Sequence, residues 1–411
     1  MAREATITIA ASNAKNPTAY DYQCDGVADD VQINAAIDAL PAGGGKVELS
    51  EGTFTLATQV LLSNDNVILQ GMGARATQLD YTGGATAALE ITSYRHVYLA
   101  DFWVNKLSGT GTKGIFFNYV DAITSFKHSM KNISIVSADG ATGFDLGLHC
   151  NNIEHFGAEN VSVFGGGTGI KLDNGGHSGG AAGGWNVFTR CRAHQANNSG
   201  AWTGDGWHVE KQVGCQFLSC QALQCDAENA QFFLTNGCNS NIILGLDCEG
   251  AGTVGLFANG GAGGCQHNTF QVHFDTLATG IKLVSADHNL ILPGRQGSVT
   301  TPFSLDSGSD NNTIYPGGYA VTIGGSPVGN RLIGGTHERK GTGSITSGAT
   351  TAVIAHGLAA APTFVNVVFK EQGTADYGRW WVDTIDATNF TVKVSVDPGA
   401  SNLDFMWEAR V

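Results

Sequence analysis

The chain has 411 residues, with 57 Gly, 8 Pro, 42% hydrophobic and 14% charged residues, and a formal net charge of −14. Its apolar content excludes a disordered chain, and the lack of any Lys/Arg run excludes nucleic acid as the main partner, because neutralising phosphates needs clustered cations. No apolar run approaches the roughly 18 residues of a membrane span, so no membrane insertion is expected.

Residues 1–60 are predicted to form an N-terminal capping module. The first residues lack the apolar core of a signal peptide. Asp29 and Gln32 have the spacing of a capping box, and Ile33 and Ile37 recur at helical spacing before a run of Gly ends the pattern. This predicts one short amphipathic helix, placed where it can cover the open end of a stack of strands.

Residues 61–340 repeat. A phrase of Asn, apolar, any, apolar begins each unit, with Cys replacing Asn once, at Asn66, Asn132, Asn160, Asn186, Cys215, Asn241, Asn268, Asn289 and Asn312. From Asn132 onwards the intervals are 21 to 29 residues. A second phrase, Gly, apolar, any, apolar, recurs inside the units at Gly143, Gly169, Gly206, Gly255 and Gly280.

Two strand phrases per unit predict a parallel β-helix of about one turn per unit. A propeller would need four strands in each unit, and leucine-rich repeats would need a fixed Leu framework. An inward Asn at the same corner of each turn can bond its neighbours above and below, which predicts a buried Asn ladder. The nine Cys form no CxxC pair, and Cys191 and Cys220 fall at core positions, so buried free thiols are expected rather than a metal site.

Residues 341–411 break the repeat. The stretch 341–344 is predicted to be a linker, and five short alternating strands after it predict a small antiparallel β-sandwich-like domain. The expected organisation is therefore a capping module over 1–60, a β-helix over 61–340 and a small β domain over 341–411.

The opening of the chain resembles a known family. The phrase Asp25-Gly26-Val27-Ala28-Asp29-Asp30, followed by the segments 36–38, 43–49 and 51–54, is similar to the start of pectate-lyase-superfamily right-handed parallel β-helices, which include phage tailspikes and polygalacturonase-like proteins. The paired-Asp phrases typical of polygalacturonases are not found in the repeats. The resemblance implies the fold, a polysaccharide partner, an extracellular or virion-associated place and a homotrimer.

Stacked turns bring distant side chains together. Arg192, Gln221 and Asp247 occupy the same place in successive units, as do Arg190 and Ser219. The loops between the strand phrases add an acidic and aromatic set, which includes His194, Trp202, Asp205, Asp226, Glu228, Glu249 and Asp275, with Trp207 beside them.

Carboxylates on neighbouring turns have the spacing that glycoside hydrolysis requires, so the candidate catalytic residues are Asp205, Asp226, Glu228, Asp247 and Glu249. Aromatic faces can stack on sugars and Arg can pair with an acidic sugar, so the candidate binding residues are Arg190, Arg192, His194, Trp202, Trp207 and Gln221.

Three functions remain open on the sequence: a tailspike-like depolymerase acting by hydrolysis or by elimination, a receptor-binding fibre without catalysis, and a purely structural appendage. No cofactor is expected, although the acidic cluster could instead hold Ca²⁺, whose preferred ligands are carboxylate oxygens.

Overall fold

The computed structural model describes residues 5–108, 112–119, 127–137, 143–174, 183–194, 204–225, 230–250, 254–261, 263–324, 327–333, 338–358, 361–370, 377–399 and 401–411. Within them the chain forms the predicted right-handed parallel β-helix and, after it, two small antiparallel sheets. Each of the two parts has its own apolar core.

The first sheet of the coil consists of 18 strands. They are Thr6–Ala10, Tyr22–Gln23, Gly45–Leu49, Gly52–Leu56, Val67–Gln70, Thr77–Tyr81, Tyr98–Lys106, Ser129–Ser137, Gly157–Phe164, Val187–Thr189, Arg192–His194, Gln216–Leu218, Gln221–Leu223, Ile242–Glu249, Thr269–Asp275, Leu290–Leu292, Thr313–Ile314 and Arg331–Leu332.

The second sheet has 11 strands. They are Val60–Leu61, Ala87–Thr92, Lys113–Asn118, Leu146–Asn151, Thr168–Asp173, Trp207–Glu210, Phe232–Thr235, Val254–Asn259, Leu277–Val284, Val299–Leu305 and Val321–Ile323, and a separate short pair is formed by Gly183–Gly184 and Gln212–Val213. Successive turns pair in parallel register, so that equivalent side chains form columns at the strand spacing of about 4.8 Å.

The N-terminal helix is confirmed at Asp30–Asp38, with a short 3-10 turn at Pro17–Ala19 before it. The expected capping box is wrong, because the Asp29 side chain makes no bond to the helix. Its carboxylate instead accepts the backbone N–H groups of Gly26 and Thr55 at 2.8 and 2.7 Å. Asp29 therefore ties the helix to the first turns of the coil.

Single left-handed residues turn the chain at one corner of the coil. Trp185, Ser240, His267 and His288 have φ between 53° and 58°, and each is followed by an Asn that is at most 1% exposed. Such φ values are uncommon outside Gly, so the bend is a defined feature of each turn.

The predicted Asn ladder is confirmed along this corner. The Nδ2 atoms of Asn241, Asn268, Asn289 and Asn312 each donate to Oδ1 of the next Asn at 3.0–3.1 Å, with Asn330 as the last member. The same Oδ1 atoms accept the backbone N–H of the preceding Asn at 2.8–2.9 Å. The ladder thus satisfies buried backbone groups that the bend removes from the sheets.

Three predicted ladder positions are wrong: Asn66, Asn132 and Asn160. They themselves have left-handed φ of 52° to 57° and belong to other bends. The register stacks Asn160 on Arg190, because Glu159 pairs with Thr189 and Ser162 with Arg192. The second phrase is also misplaced in one unit, where it was expected to begin at Gly143. Leu148 pairs with Ile170, so the residue equivalent to Gly169 is Gly147.

All nine Cys are buried free thiols, as predicted. Cys191 and Cys220 directly follow the left-handed Arg190 and Ser219, and their thiols donate to the carbonyl two residues back at 3.5 and 3.8 Å. Cys215 follows Gly214, φ 68°, and burial raises the pKa of its thiol to about 12. These thiols are small side chains that fit the inside of a bend.

The predicted sandwich-like domain is confirmed as two three-stranded antiparallel sheets. Their strands are Glu338–Ile345, Phe364–Phe369 and Leu403–Arg410 in one sheet, and Thr351–Ala355, Trp380–Ile385 and Asn389–Val394 in the other. The linker expected at 341–344 is wrong, because these residues lie within a strand. Gly341 and Gly343 are needed there, since a Cβ at either would collide with the rings of Trp407 or Phe405.

Replacing Asn268 with Ala should destabilise the coil. The change leaves the Asn241 N–H and the Cys238 carbonyl, both buried, without their partner at 2.9 Å. At about 1–3 kcal/mol for each of the two unsatisfied buried groups, a loss of about 2–6 kcal/mol is expected in the free energy of unfolding. The measurement is chemical denaturation, with Gln59→Ala as a surface control expected to stay within about 0.5 kcal/mol. Equal stability of the two variants would contradict a structural ladder.

Candidate functional site

One outward column of the first sheet brings predicted site residues together. Arg192 pairs with Gln221, Gln221 with Asp247, and Asp247 with His273. The predicted stacking of the first three is therefore confirmed. Arg295 continues the column, because its backbone N–H donates to His273 Nδ1 at 3.0 Å.

A second outward column runs beside the first, two residues further along each strand. It contains His194, Leu223, Glu249 and Asp275. Side chains two residues apart lie on one face of a strand, so both columns open onto the same surface. Together they border a cleft of about 480 Å³, which is lined by Ser219, Gln221, Gly245, Asp247, Glu249, His273, Phe274, Asp275 and Arg295.

A bend in the strands aims the carboxylates of Asp247 and Glu249 at solvent. Gly245 has φ 65°, and the register of its strand shifts between Leu244 and Leu246. After the bend Leu246 and Cys248 are fully buried, so the alternating residues Asp247 and Glu249 face outward.

Asp275 is the fixed carboxylate of the cleft. Its Oδ1 accepts the Ser298 backbone N–H at 3.0 Å and the Thr276 hydroxyl at 3.3 Å. The bond from Ser298 is the main cause that lowers the pKa of Asp275, so this side chain is ionised at neutral and mildly acidic pH. A Cβ on Gly297 would collide with the same oxygen, so Gly at that position preserves the arrangement.

The backbone positions of the three carboxylates are close enough for acid–base chemistry on a sugar. The Cα atoms of Asp247 and Glu249, two residues apart on one strand, are separated by about 6.6 Å, and those of Glu249 and Asp275, on neighbouring strands, by about 4.8 Å. Retaining glycosidases hold their two carboxyl groups about 5–5.5 Å apart and inverting ones about 6.5–9.5 Å apart.

The predicted basic residues are already engaged with the protein. Arg192 Nε donates to Ser162 Oγ at 2.8 Å, and its guanidinium lies 5.0 Å from the centre of the Phe164 ring. Arg190 pairs with Glu159. His194 lies at the edge of the Phe164 ring, and burial lowers the pKa of its imidazole. Arg192 is one turn from Gln221 and so borders the cleft without being among the residues that line it.

The structure corrects two predicted surface residues, Asp205 and Trp207, which are 2% and 0% exposed. Trp207 lies inside the coil against Phe188 and Phe232, because in its strand the alternate residue His208 faces outward. The Asp205 carboxylate accepts the Ala230 N–H and pairs with His208 Nδ1, both at 3.0 Å. Neither residue can contact a ligand in the cleft.

Three further candidates, Trp202, Asp226 and Glu228, lie outside the described residues. The sequence reasoning missed His273 and Arg295. His273 follows Asp247 by 26 residues and Asp275 follows Glu249 by the same interval, so extending the column by one period would have found the imidazole. Arg295 gave no such signal, because the next unit is shorter.

Among the described residues, no group of three or more His, Cys, Asp or Glu side chains is arranged to hold a metal ion. In the same part of the chain, no helix has the length and apolar character needed to cross a membrane.

Comparisons with known proteins find folds of this kind. No family model and no curated protein matches the chain. Among solved structures, the A-module of a mannuronan C-5 epimerase from Azotobacter vinelandii matches with 18% identity over 75% of this chain and 97% of that one, with a TM-score of 0.46.

Two other matches have similar scores. The tailspike protein of Acinetobacter phage vB_ApiP_P1 matches with 10% identity over 93% of this chain and 84% of that one, with a TM-score of 0.48. A polygalacturonase from Erwinia carotovora matches with 10% identity over 81% and 95%, with a TM-score of 0.47. The predicted resemblance to right-handed β-helix proteins is confirmed, but likeness this slight carries no argument about function.

Replacing Trp207 with Ala should act on stability rather than on ligand binding. Removing a fully buried aromatic side chain costs about 3–5 kcal/mol. Thermal and chemical unfolding would measure the loss, with Trp185→Ala as the control, since Trp185 is 56% exposed. A Trp207→Ala protein as stable as the parent would contradict the buried position.

Proposed function

We propose that this protein binds a cell-surface polysaccharide in the cleft and cleaves it by hydrolysis, acting outside the cell as a tailspike-like, virion-associated receptor-binding protein. The observation that supports this is the register that sets Asp247, Glu249 and Asp275 on neighbouring positions of one open surface. A cleft that lies on the outer surface of the coil and is lined by residues of several successive turns suits a chain-like ligand.

Asp247 and Glu249 form the reacting pair. Hydrolysis of a glycosidic bond needs one carboxylic acid that gives a proton to the leaving oxygen and one carboxylate that activates water. Their Cα atoms are about 6.6 Å apart on one strand, so the two side chains can hold their carboxyl groups at the wider separation that admits a water and leads to inversion at the anomeric carbon. Hydrolysis is preferred to elimination because the cleft lining contains more carboxylates than cations.

Asp247→Asn and Glu249→Gln should each lower the rate of cleavage by about 10²–10⁴-fold while leaving glycan binding within a few-fold, because an amide keeps the shape but cannot transfer the proton. The measurement is the release of reducing ends from bacterial surface polysaccharide. Asp404→Asn, in the C-terminal domain, is the matched control and should keep full activity.

Two results would count against this mechanism. A parent protein that binds polysaccharide and releases no reducing ends would leave a receptor-binding fibre without catalysis. Cleavage products that absorb in the ultraviolet, because they contain a new double bond, would indicate elimination instead of hydrolysis.

We further propose a homotrimer. Part of the outer face of the first sheet is uncharged over six successive strands, at Val187, Gln216, Ile242, Thr269, Leu290 and Thr313. In a chain with a net charge of −14, a face without charges is where copies can approach without repulsion. Val187 and Ile242 on this face are apolar and are 36% and 37% exposed, so a second copy packed there would bury apolar surface.

Light scattering should therefore give a mass near three times the 42.8 kDa of one chain. Ile242→Lys, which puts a charge on the uncharged face, should shift the mass towards that of one chain. Ser304→Lys, on the outer face of the second sheet, should not. A parent protein of 42.8 kDa in solution would rule the trimer out.

A further inference from the structure

We infer that the cleft accepts a stretch of glycan whose sugars offer hydroxyl or amino groups and contain no acidic group. The inference rests on the proposed function, because it concerns the same cleft.

The charge of the cleft lining supports this selection. The lining has three carboxyl groups, on Asp247, Glu249 and Asp275, and one guanidinium, on Arg295, so it stays net negative even when one member of the reacting pair holds the proton that hydrolysis requires. The rest of the chain does not offset this balance, since its formal net charge is also negative. A sugar carboxylate or sulfate placed here would face like charges at neighbouring strand positions, about 5 Å apart.

The cations on the turns before the cleft, Arg190, Arg192 and Lys131, have partners already. Glu159 binds both Arg190 and Lys131, the latter at 3.0 Å. Arg192 donates to Ser162 and lies over the Phe164 ring. An acidic sugar would have to draw these groups away from their partners, whereas a neutral sugar requires no such change.

Asp275 provides the favourable contact for a sugar that carries hydroxyl or amino groups. Its Oδ1 accepts hydrogen bonds from the Ser298 backbone N–H and the Thr276 hydroxyl, and the second oxygen, Oδ2, belongs to the same positioned carboxylate. A fixed carboxylate oxygen facing a cleft accepts a hydrogen bond from a sugar hydroxyl and a stronger one from an ammonium group. The Ser219 hydroxyl and the Gln221 amide, which line the same cleft, can exchange hydrogen bonds with further hydroxyls. Asp275 is therefore the specificity-determining residue in this inference.

The test is a printed array of bacterial surface glycans whose repeats are neutral, amino-bearing, or acidic through uronic or sialic acid. It is probed with the full chain, with Asp275→Asn, and with Asp404→Asn as the control. The parent and the control should bind only glycans without acidic sugars. Asp275→Asn should bind the same glycans at least tenfold more weakly, and most weakly where the parent's ligand has free amino groups. The Asn side chain retains an oxygen for the Ser298 N–H, and an unchanged unfolding temperature would show that the variant is folded.

The outcomes separate this inference from the proposed function. Binding confined to acidic glycans, or unchanged binding by Asp275→Asn, would overturn the inference and leave polysaccharide binding in place. Failure of the parent to bind any glycan on the array would overturn the proposed function, and the inference with it.

Discussion

The structure depends on how the buried backbone is satisfied where each turn bends. A left-handed residue bends the chain, and the residue after it points inward, where no water can pair with the freed N–H and C=O groups. An Asn at this place bonds the next Asn and a carbonyl, as Asn268 does with Asn289 and Cys238. Each turn is thereby locked to the next at a fixed register, and the outward columns follow from that register.

The functional consequence is that the alternation of inward and outward residues along each strand decides which side chains line the cleft. Asp247 and Glu249 are outward because Leu246 and Cys248, which alternate with them, are inward after the bend at Gly245. A slip of one residue would bury both carboxylates and expose the apolar pair. The same register sets Asp275 beside Glu249 on the neighbouring strand, so three acidic groups from two distant segments share one surface.

The sequence was enough to predict the coil, the buried thiols and the column of Arg192, Gln221 and Asp247. Both the repeat length and the alternation of apolar and polar residues along the strands can be recognised in the residue pattern. The sequence was not enough where one residue type is favoured at two different structural positions. Asn is favoured inside a bend and also at the left-handed position itself, so the sequence pattern alone does not separate Asn160 from the Asn186 column. The burial of Trp207 is likewise not predictable from its residue type, because an aromatic residue fits either face of a strand and only the register decides between them.

The central claim is that positions 247 and 273 are vertical neighbours on an open surface. Fluorescence of a double variant, Asp247→Cys with His273→Cys, labelled with pyrene maleimide, tests it most directly, since the native thiols are all buried. Side chains about 4.8 Å apart let the two pyrenes stack, so strong excimer emission is predicted, and none for the pair Asp247→Cys with Ser304→Cys. Monomer emission alone from the 247 and 273 pair would contradict the register, and with it the cleft.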